Sequence, residues 1–325
     1  MNIYILCGLG LFISLALLII FMPIFIKALK KHNINQEVSQ YALQEFKDKE
    51  KTPIMGGLLF VVIPTIVFAL IDFKGLLTNK LLFIVLSYLL FCLVGFLDDY
   101  TIIIKKNNDG ISPKSKLIME FIFTAVLYFA FCKDVDVIYT GIKIPFTNIG
   151  IDLGMLYIPF MILLFLAEAN AANFTDGMDG LCAGVSSIGV IALIVLALIF
   201  KENDIAVFLF SILGGLFGYL CFNKHPAKIF MGDSGSLALG ALFASVCVVM
   251  NLEIPLFFVG GVFVIEMFCV VVQQVSVRLF HKRVFRYTPI HYAFVIKGYK
   301  EEKIVLGFYL VEFILALIGL YLGLH

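Results

Sequence analysis

The fold is decided by two apolar runs, LCAGVSSIGVIALIVLALIF (181–200) and IAVFLFSILGGLFGYLCF (205–222), which are separated only by the polar KEND (201–204). Neither run contains a charged residue. Each is close to the ~20 residues that a helix needs to cross the hydrocarbon core of a bilayer. The pair therefore predicts two transmembrane helices joined by a short loop.

The composition extends this interpretation to the whole chain. Of its 325 residues, 62% are hydrophobic and only 14% are charged, and the mean hydropathy is +1.04. A soluble domain of this length carries about twice that charged fraction. We therefore predict an all-α polytopic integral membrane protein with a single transmembrane domain over residues 1–325. The seven cysteines form no CxxC pair, which favours buried small side chains over a zinc site or a disulfide framework.

The apolar runs predict about ten transmembrane helices. The ninth is longer than one span and carries Glu266, which leaves a tilt, a break or a projection from the bilayer open. Segment 134–155 is predicted to be an external β-hairpin, and segment 282–300 an interfacial loop with a short amphipathic helix. The predicted helices cover 3–29, 54–71, 80–97, 116–132, 156–170, 181–200, 205–222, 236–251, 255–279 and 303–323.

The distribution of Lys and Arg predicts how these helices are oriented. If the amino terminus lies outside, the inner segments hold 19 of the 24 basic residues. Because cytoplasmic loops of membrane proteins carry such an excess, both termini are predicted to be extracytoplasmic. The five basic residues of the outer segments are Lys74, Lys80, Lys133, Lys143 and Lys201.

Five aspartates at the edges of the apolar runs all fall on the predicted cytoplasmic face. Clustered carboxylates repel one another unless a cation lies between them, so this face is a candidate site for a divalent metal and an anionic substrate. Oxygen donors dominate there, without a thiolate or a multi-histidine cluster, which favours magnesium or manganese over zinc. The five are Asp98, Asp99, Asp176, Asp179 and Asp233.

Three short motifs carry these aspartates. In GFLDDY (95–100) the adjacent carboxylates cannot face the same way on a helix, so one could hold a metal while the other meets substrate; a pair of solvated end charges is the alternative. In NAANFTDGMDGL (170–181) amides and carboxylates recur every third residue around two glycines, which keeps them on one side of a helix end or tight turn. In FMGDSG (230–235) Asp233 either serves a phosphate site at the start of a helix or simply caps that helix.

Basic and aromatic residues near these motifs are candidate contacts for phosphates and a base. Lys51 and Lys114 are either phosphate partners or ordinary inner-face lysines. His291 is either a working titratable group beside a basic cluster or incidental. Phe230 either stacks on a base or anchors its loop in the membrane interface.

Taken together, the motifs resemble those of the polyprenyl-phosphate N-acetylhexosamine-1-phosphate transferase superfamily and, within it, of the phospho-MurNAc-pentapeptide transferases. TPIMGG, GFLDDY, NAANFTDGMDGL, FMGDSGSLALG and TPIHYAFVIKGY occur in the family's order over nearly the whole chain. The resemblance implies transfer of phospho-MurNAc-pentapeptide from UDP-MurNAc-pentapeptide to undecaprenyl phosphate. It further implies lipid I and UMP as products, a place in peptidoglycan synthesis, and Mg²⁺ as the cofactor.

The resemblance also implies roles for particular residues. Asp233 is the expected magnesium ligand, and Asp98 and Asp99 are expected at the metal and the attacking phosphate, with Asp99 as the second ligand. His291 and Lys114 are expected in the catalytic group around the phosphates. The expected substrate-binding residues are Lys51, Asn173, Asp176, Asp179, Asn223 and Phe230.

The chain departs from the family in the last motif. The family usually carries a run of histidines where this chain has His291, Tyr292 and Ala293. A mechanism that needs several histidines could not operate here, so we expect His291 alone to supply the imidazole function. The Tyr292 hydroxyl is expected to matter little.

Two other functions fit some of these features. A related transferase that uses UDP-GlcNAc for teichoic acid or O-antigen synthesis would share the motifs, and a cation-coupled transporter would use carboxylates along an ion path. The transporter is disfavoured because only Glu266 and Glu312 fall clearly inside predicted spans. We expect a multi-pass protein of the bacterial inner membrane with a cytoplasmic active site and no nucleic-acid partner; a homodimer stays open.

Overall fold

The fold is a bundle of long helices with one small β-hairpin. A computed structural model of the chain describes residues 2–32, 34, 52–105, 110–147 and 149–325, and these ranges contain 13 α-helices. In chain order they are α1 (Ile3–Lys31), α2 (Gly57–Ile71), α3 (Phe73–Leu76), α4 (Asn79–Lys105), α5 (Pro113–Phe131), α6 (Tyr157–Thr175), α7 (Leu181–Ile199), α8 (Asn203–Asn223), α9 (Asp233–Met250), α10 (Glu253–Val259), α11 (Gly261–Phe280), α12 (Ile290–Ile296) and α13 (Glu301–Gly323).

Eight of the helices in the described part of the chain are long and apolar enough to cross a bilayer, so this is a multi-pass membrane protein. Helix α2 has only 15 residues, which is shorter than a usual span. The first turns of α5 carry Lys114, Lys116 and Glu120. Ten crossings are reached only if α2 and α5 are added to the eight long apolar helices and if α10 and α11 together count as one crossing.

Three predicted helices differ clearly from the observed ones. The fifth was predicted to end at residue 170, but α6 continues to Thr175, because Ala171, Ala172 and Thr175 are buried against the bundle. The third was predicted to end at residue 97, but α4 continues to Lys105, because Asp98 and Asp99 are buried against the rest of the bundle and do not mark an exit into water. The predicted ninth helix, 255–279, is broken at Gly260 into α10 and α11, which is one of the arrangements left open above. The Glu312 carboxylate of α13 accepts a hydrogen bond from the N–H of Val262 (2.8 Å) and so satisfies a donor at the start of α11.

Helix α9 lies at the centre of the bundle. Every residue from Ser234 to Met250 is buried, and the helix packs against both α4 and α6. Small residues let these backbones approach closely, as is common between membrane helices. A methyl group on Gly95 would overlap the backbone of Asp233, and one on Gly240 would overlap the backbone of Glu168. This packing brings the start of α9 against the second half of α4.

The predicted β-hairpin is confirmed. Strand β1 (Gly141–Lys143) pairs antiparallel with β2 (Gly150–Asp152). The hairpin lines a cavity of about 430 Å³ together with Met250, the last residue of α9. Because the 18 residues of α9 rise about 27 Å, the hairpin and Asp233 lie at opposite ends of the bundle. The short helix predicted within 282–300 is α12.

Candidate active site

Asp99 joins α4 to the start of α9. It is buried, and its two carboxylate oxygens accept hydrogen bonds from the backbone N–H groups of Asp233 (3.0 Å) and Ser234 (3.1 Å). The first N–H groups of a helix have no partner within the helix, and a carboxylate at that end is also favoured by the helix dipole. Asp99 therefore caps α9 from a neighbouring helix, and any bond to a metal would come in addition to two bonds already made.

Asp233 is the point where side chains of three helices meet. One of its carboxylate oxygens accepts a hydrogen bond from Asn173 Nδ2 of α6 (2.6 Å), and the other contacts the ammonium group of Lys116 of α5. The same Asn173 amide also donates to Ser236 Oγ (3.0 Å). The structure thus brings together three residues predicted from the sequence, Asp99, Asn173 and Asp233.

The lysine at this point is Lys116, whereas the predicted lysine was Lys114. Lys114 is exposed, while the side chain of Lys116 is only 13% exposed. Successive helical residues are about 100° apart, so positions 114 and 116 point about 200° apart and cannot face the same neighbour. The overlooked signal was Glu120, one turn beyond Lys116 on the same face. It is buried and accepts a hydrogen bond from Asn170 Nδ2 (2.8 Å).

Asp98 faces a different direction from Asp99, as expected for adjacent residues on a helix. Its Oδ1 accepts a hydrogen bond from the N–H of Ile111 (2.7 Å), just before α5. It nevertheless lies close enough to Asp233 and Lys116 for their charges to interact. Asp98 is therefore a member of the same cluster and not a solvated end charge.

Asp176 ends α6 and faces this cluster. Burial raises the pKa of its carboxyl group well above the ordinary value, and the negative charges of Asp233 and Asp99 raise it further. Lys116 is the basic residue that pairs with the cluster in the described part of the chain. If all four carboxyl groups are ionised, one ammonium group cannot balance their charge, and a bound divalent cation would favour that ionised state.

The donors near Asp233 are of the chemical type that a hard divalent cation binds. Asp98, Asp176 and Asp233 offer carboxylate oxygens, which are ligands that Mg²⁺ prefers. The ammonium group of Lys116 already forms an ion pair with Asp233, so the surroundings of this carboxylate accommodate a positive charge. The chemistry of these residues therefore agrees with the predicted magnesium.

Asp179 belongs to a separate cluster. Its Oδ2 lies 2.9 Å from His225 Nδ1 and accepts a hydrogen bond from the N–H of Ala227 (3.0 Å). One potential ligand atom from each of Asp179, His225 and Glu301 lies within 4.8 Å of the others. The Asp179 carboxylate thus holds the loop between α8 and α9, in a group that could also hold a metal ion.

Asn223 and Phe230 support the same loop. The Asn223 amide accepts from the N–H of Gly180 (3.0 Å) and donates to the carbonyl of Ile229 (2.9 Å). Phe230 is half-buried, and its backbone N–H donates to the carbonyl of Pro53 (2.8 Å). These bonds are structural, so the predicted substrate contacts of both residues stay predictions. Lys51 lies outside the described residues.

His291 is buried and faces the turn after α6. Its Nδ1 lies 3.0 Å from Glu266 Oε1, and its Nε2 has no hydrogen-bond partner among the described residues. A methyl group on Gly177 would overlap that Nε2, so the unpartnered nitrogen points at the turn. The Glu266 carboxylate favours the tautomer with a proton on Nδ1. Glu266 was not predicted as a site residue, although a carboxylate inside an apolar span was a signal for it.

Tyr292 also reaches this turn. Its hydroxyl donates to the carbonyl of Gly177 (3.1 Å), and its ring centroid lies 4.2 Å from that of His291. Nothing in the sequence pointed to this bond. The hydroxyl that was expected to matter little therefore has a defined structural partner.

The chain is similar to known proteins over most of its length. The model of the family described as "Glycosyl transferase family 4" matches residues 81–251, a range that begins in α4 and includes Asp99, Asn173 and Asp233. The chain belongs to glycosyl transferase family 4.

Curated relatives extend the similarity beyond residues 81–251. The phospho-N-acetylmuramoyl-pentapeptide-transferase of Staphylococcus carnosus (strain TM300) is 38% identical over 318 residues, which are 96% of this chain and 98% of the relative. The enzyme of the same name from Staphylococcus aureus (strain MSSA476) is 37% identical over 319 residues, with the same coverage.

Proposed function

We propose that this chain transfers phospho-MurNAc-pentapeptide from UDP-MurNAc-pentapeptide to undecaprenyl phosphate, giving lipid I and UMP in peptidoglycan synthesis. The names of the full-length relatives support this substrate over UDP-GlcNAc. The structural observation that carries the proposal is the junction at Asp233, where Asp99, Lys116 and Asn173 converge from three other helices.

The chemistry exchanges one phosphoanhydride bond for another. An oxygen of the lipid phosphate attacks the sugar-linked phosphorus, the bond from that phosphorus to the bridging oxygen breaks, and UMP leaves with the electron pair. The attacking phosphate is already an anion near neutral pH, so a general base has little to remove. The harder task is to bring two polyanions together, which calls for positive charge and fixed orientation.

The residues at the junction suit that task. In our proposal Lys116 neutralises phosphate charge beside Asp233, and Asp98 orients the lipid phosphate for direct attack. His291, whose Nδ1–H donates to Glu266 (3.0 Å), contacts a phosphate near the turn after α6 through Nε2–H when the imidazole carries both protons. Asp99 acts through Asp233, because both of its oxygens already accept backbone hydrogen bonds.

Asp98, Asp176 and Asp233 are the residues that we propose to hold Mg²⁺. When bound, the ion would neutralise the pyrophosphate and improve UMP as a leaving group. Asp99, predicted as the second ligand, is assigned here to fixing the position of Asp233.

We further propose ten membrane crossings, both termini outside and the Asp233 end of the bundle in the cytoplasm. The excess of Lys and Arg in the segments at that end supports this orientation. A water-soluble sugar nucleotide could then reach the site directly, while the lipid phosphate approaches from the bilayer.

A UMP-release assay on the purified, detergent-solubilised protein tests the function. We expect Mg²⁺-dependent release from UDP-MurNAc-pentapeptide that needs undecaprenyl phosphate and is abolished by a chelator. UDP-GlcNAc serves as the matched sugar nucleotide and should give no release above background. Release from UDP-GlcNAc but not from UDP-MurNAc-pentapeptide would overturn the proposal in favour of the related transferase.

A further inference from the structure

The turn between α6 and α7, which we call the 176–180 turn, is fastened by two tyrosine hydroxyls. Tyr292 of α12 donates to the carbonyl of Gly177 (3.1 Å), and Tyr309 of α13 donates to the carbonyl of Gly180 (2.6 Å). Both acceptors belong to glycines and therefore lie on backbone that has no side chain of its own to anchor it.

Two N–H groups of the same turn are also held from outside. Glu301 Oε1 of α13 accepts from the N–H of Asp179 (2.7 Å), and Asn223 Oδ1 accepts from the N–H of Gly180 (3.0 Å). Four backbone groups within four residues are thus bonded to side chains of other elements. Three of the four side chains come from α12 and α13.

We propose that Tyr292 and Tyr309 are positioning residues, whose hydroxyls fix the 176–180 turn so that Asp176 stays against the Asp233 cluster. The inference rests on the proposed function for its effect on turnover. Its structural part, the restraint on the turn, stands on the hydrogen bonds alone.

The turn needs such restraint because of its composition. Gly180 has a φ of 79°, a left-handed conformation that favours glycine. Gly177 and Gly180 also give the free turn more backbone freedom than other residues would. The turn carries Asp176 and Asp179, so a small rotation within it would move both carboxylates.

The packing around both tyrosines indicates that the hydroxyls are held in place. A methyl group on Gly184 would overlap the Tyr309 ring, so this ring lies directly on the first turn of α7. The Tyr292 ring is packed between His291 and Tyr287, with centroid distances of 4.2 and 5.8 Å. Removing a hydroxyl while keeping the ring therefore isolates the hydrogen bond.

The closing experiment compares Tyr292→Phe, Tyr309→Phe and the double variant with the wild-type protein. Tyr157→Phe is the matched control, because it loses a buried hydroxyl that donates to Glu253 Oε1 (2.7 Å) at the opposite end of α6. Amide hydrogen exchange of peptides spanning 177–184 is measured on each full-length protein, together with kcat and KM for UDP-MurNAc-pentapeptide.

We expect exchange in 177–184 to rise about three- to tenfold in each single variant and further in the double variant, because one net hydrogen bond is lost each time. The KM for UDP-MurNAc-pentapeptide should rise by a similar factor, and because Asp176 is one of the residues proposed to hold Mg²⁺, the Mg²⁺ concentration for half-maximal UMP release should rise as well. Tyr157→Phe should leave all of these readouts unchanged. Unchanged exchange in 177–184 in both single variants and the double variant would overturn the restraint on the turn. Faster exchange with an unchanged KM would overturn the positioning role. A wild-type protein that does not act on UDP-MurNAc-pentapeptide would refute the proposed function instead, while the exchange data would still test the restraint.

Discussion

The contact between Lys116 and Asp233 gives the sharpest prediction about catalysis. Replacing Lys116 by Gln should remove the positive charge from the junction and lower kcat/KM. Replacing Lys114 by Gln, two residues earlier on the same helix, should leave kcat/KM within about twofold of wild type. The two substitutions are chemically identical and differ only in the face of α5 that they change.

The structure sets the size of the effect. The side chains of Lys116 and Asp233 are 13% and 23% exposed, so water screens their interaction only in part. A hydrogen bond to a charged group contributes about 1.5–3 kcal/mol. If this contribution is lost from the transition state, kcat/KM should fall roughly 10- to 150-fold, since about 1.4 kcal/mol corresponds to a factor of ten.

UMP release under saturating Mg²⁺ and undecaprenyl phosphate is the appropriate assay, with the melting temperature of each variant in detergent as a check on folding. The prediction requires Lys116→Gln to be folded and slow, and Lys114→Gln to be folded and fast. Equal losses in both variants, or a greater loss in Lys114→Gln, would show that the inward face of α5 does not carry the phosphate contact.

Three further predictions follow from the same geometry. Asp233→Asn should keep the fold but reduce turnover by orders of magnitude, since several kcal/mol of charge stabilisation is lost; near-normal turnover at saturating Mg²⁺ would remove Asp233 from the site. His291→Ala should slow UMP release about 10- to 1000-fold, and Glu266→Gln, which weakens the contact to Nδ1 (3.0 Å), should produce a smaller loss; a Glu266→Gln enzyme as fast as wild type would show that this contact does not orient the imidazole for turnover. In a variant without the native cysteines, Thr147→Cys in the hairpin should react with an impermeant thiol reagent applied outside intact cells, and Glu302→Cys should not; the reverse pattern would invert the proposed topology.

The helices could be predicted from the sequence wherever lipid-length apolar runs end in polar loops. The runs at 181–200 and 205–222 correspond closely to α7 and α8. The predicted end of the third helix, before Asp98 and Asp99, was wrong. In a sequence, a charged residue that other helices bury cannot be distinguished from one that enters water. Only the partner in space, the start of α9, distinguishes the two cases.

The site could be predicted as a set of residues but not as contacts. The motif order identified Asp99, Asn173 and Asp233, which lie together. Choosing Lys116 over Lys114 required the rotational phase of α5, which Glu120, one turn beyond Lys116, could have indicated. Asp179 was grouped with the others by spacing and Asn223 by the family resemblance, yet both bond to the backbone of the loop between α8 and α9. The partners of Tyr292 and Tyr309 are more than 100 positions away, so no local pattern could indicate them.

The burial of α9 has a consequence for how this chain tolerates change. Residues of α9 from Ser234 onward meet protein rather than lipid, so a gain in hydrophobicity there brings no benefit. Added volume meets the backbone of α2 at Gly235 and the backbone of α6 at Gly240. In a saturation scan of all positions, α9 should accept exchanges among small residues and reject Leu or Phe at Gly235 and Gly240. The outward faces of α1 and α13 should accept almost any apolar side chain. A helix that hydropathy alone classifies as a membrane span would then show the substitution pattern of a soluble protein's core.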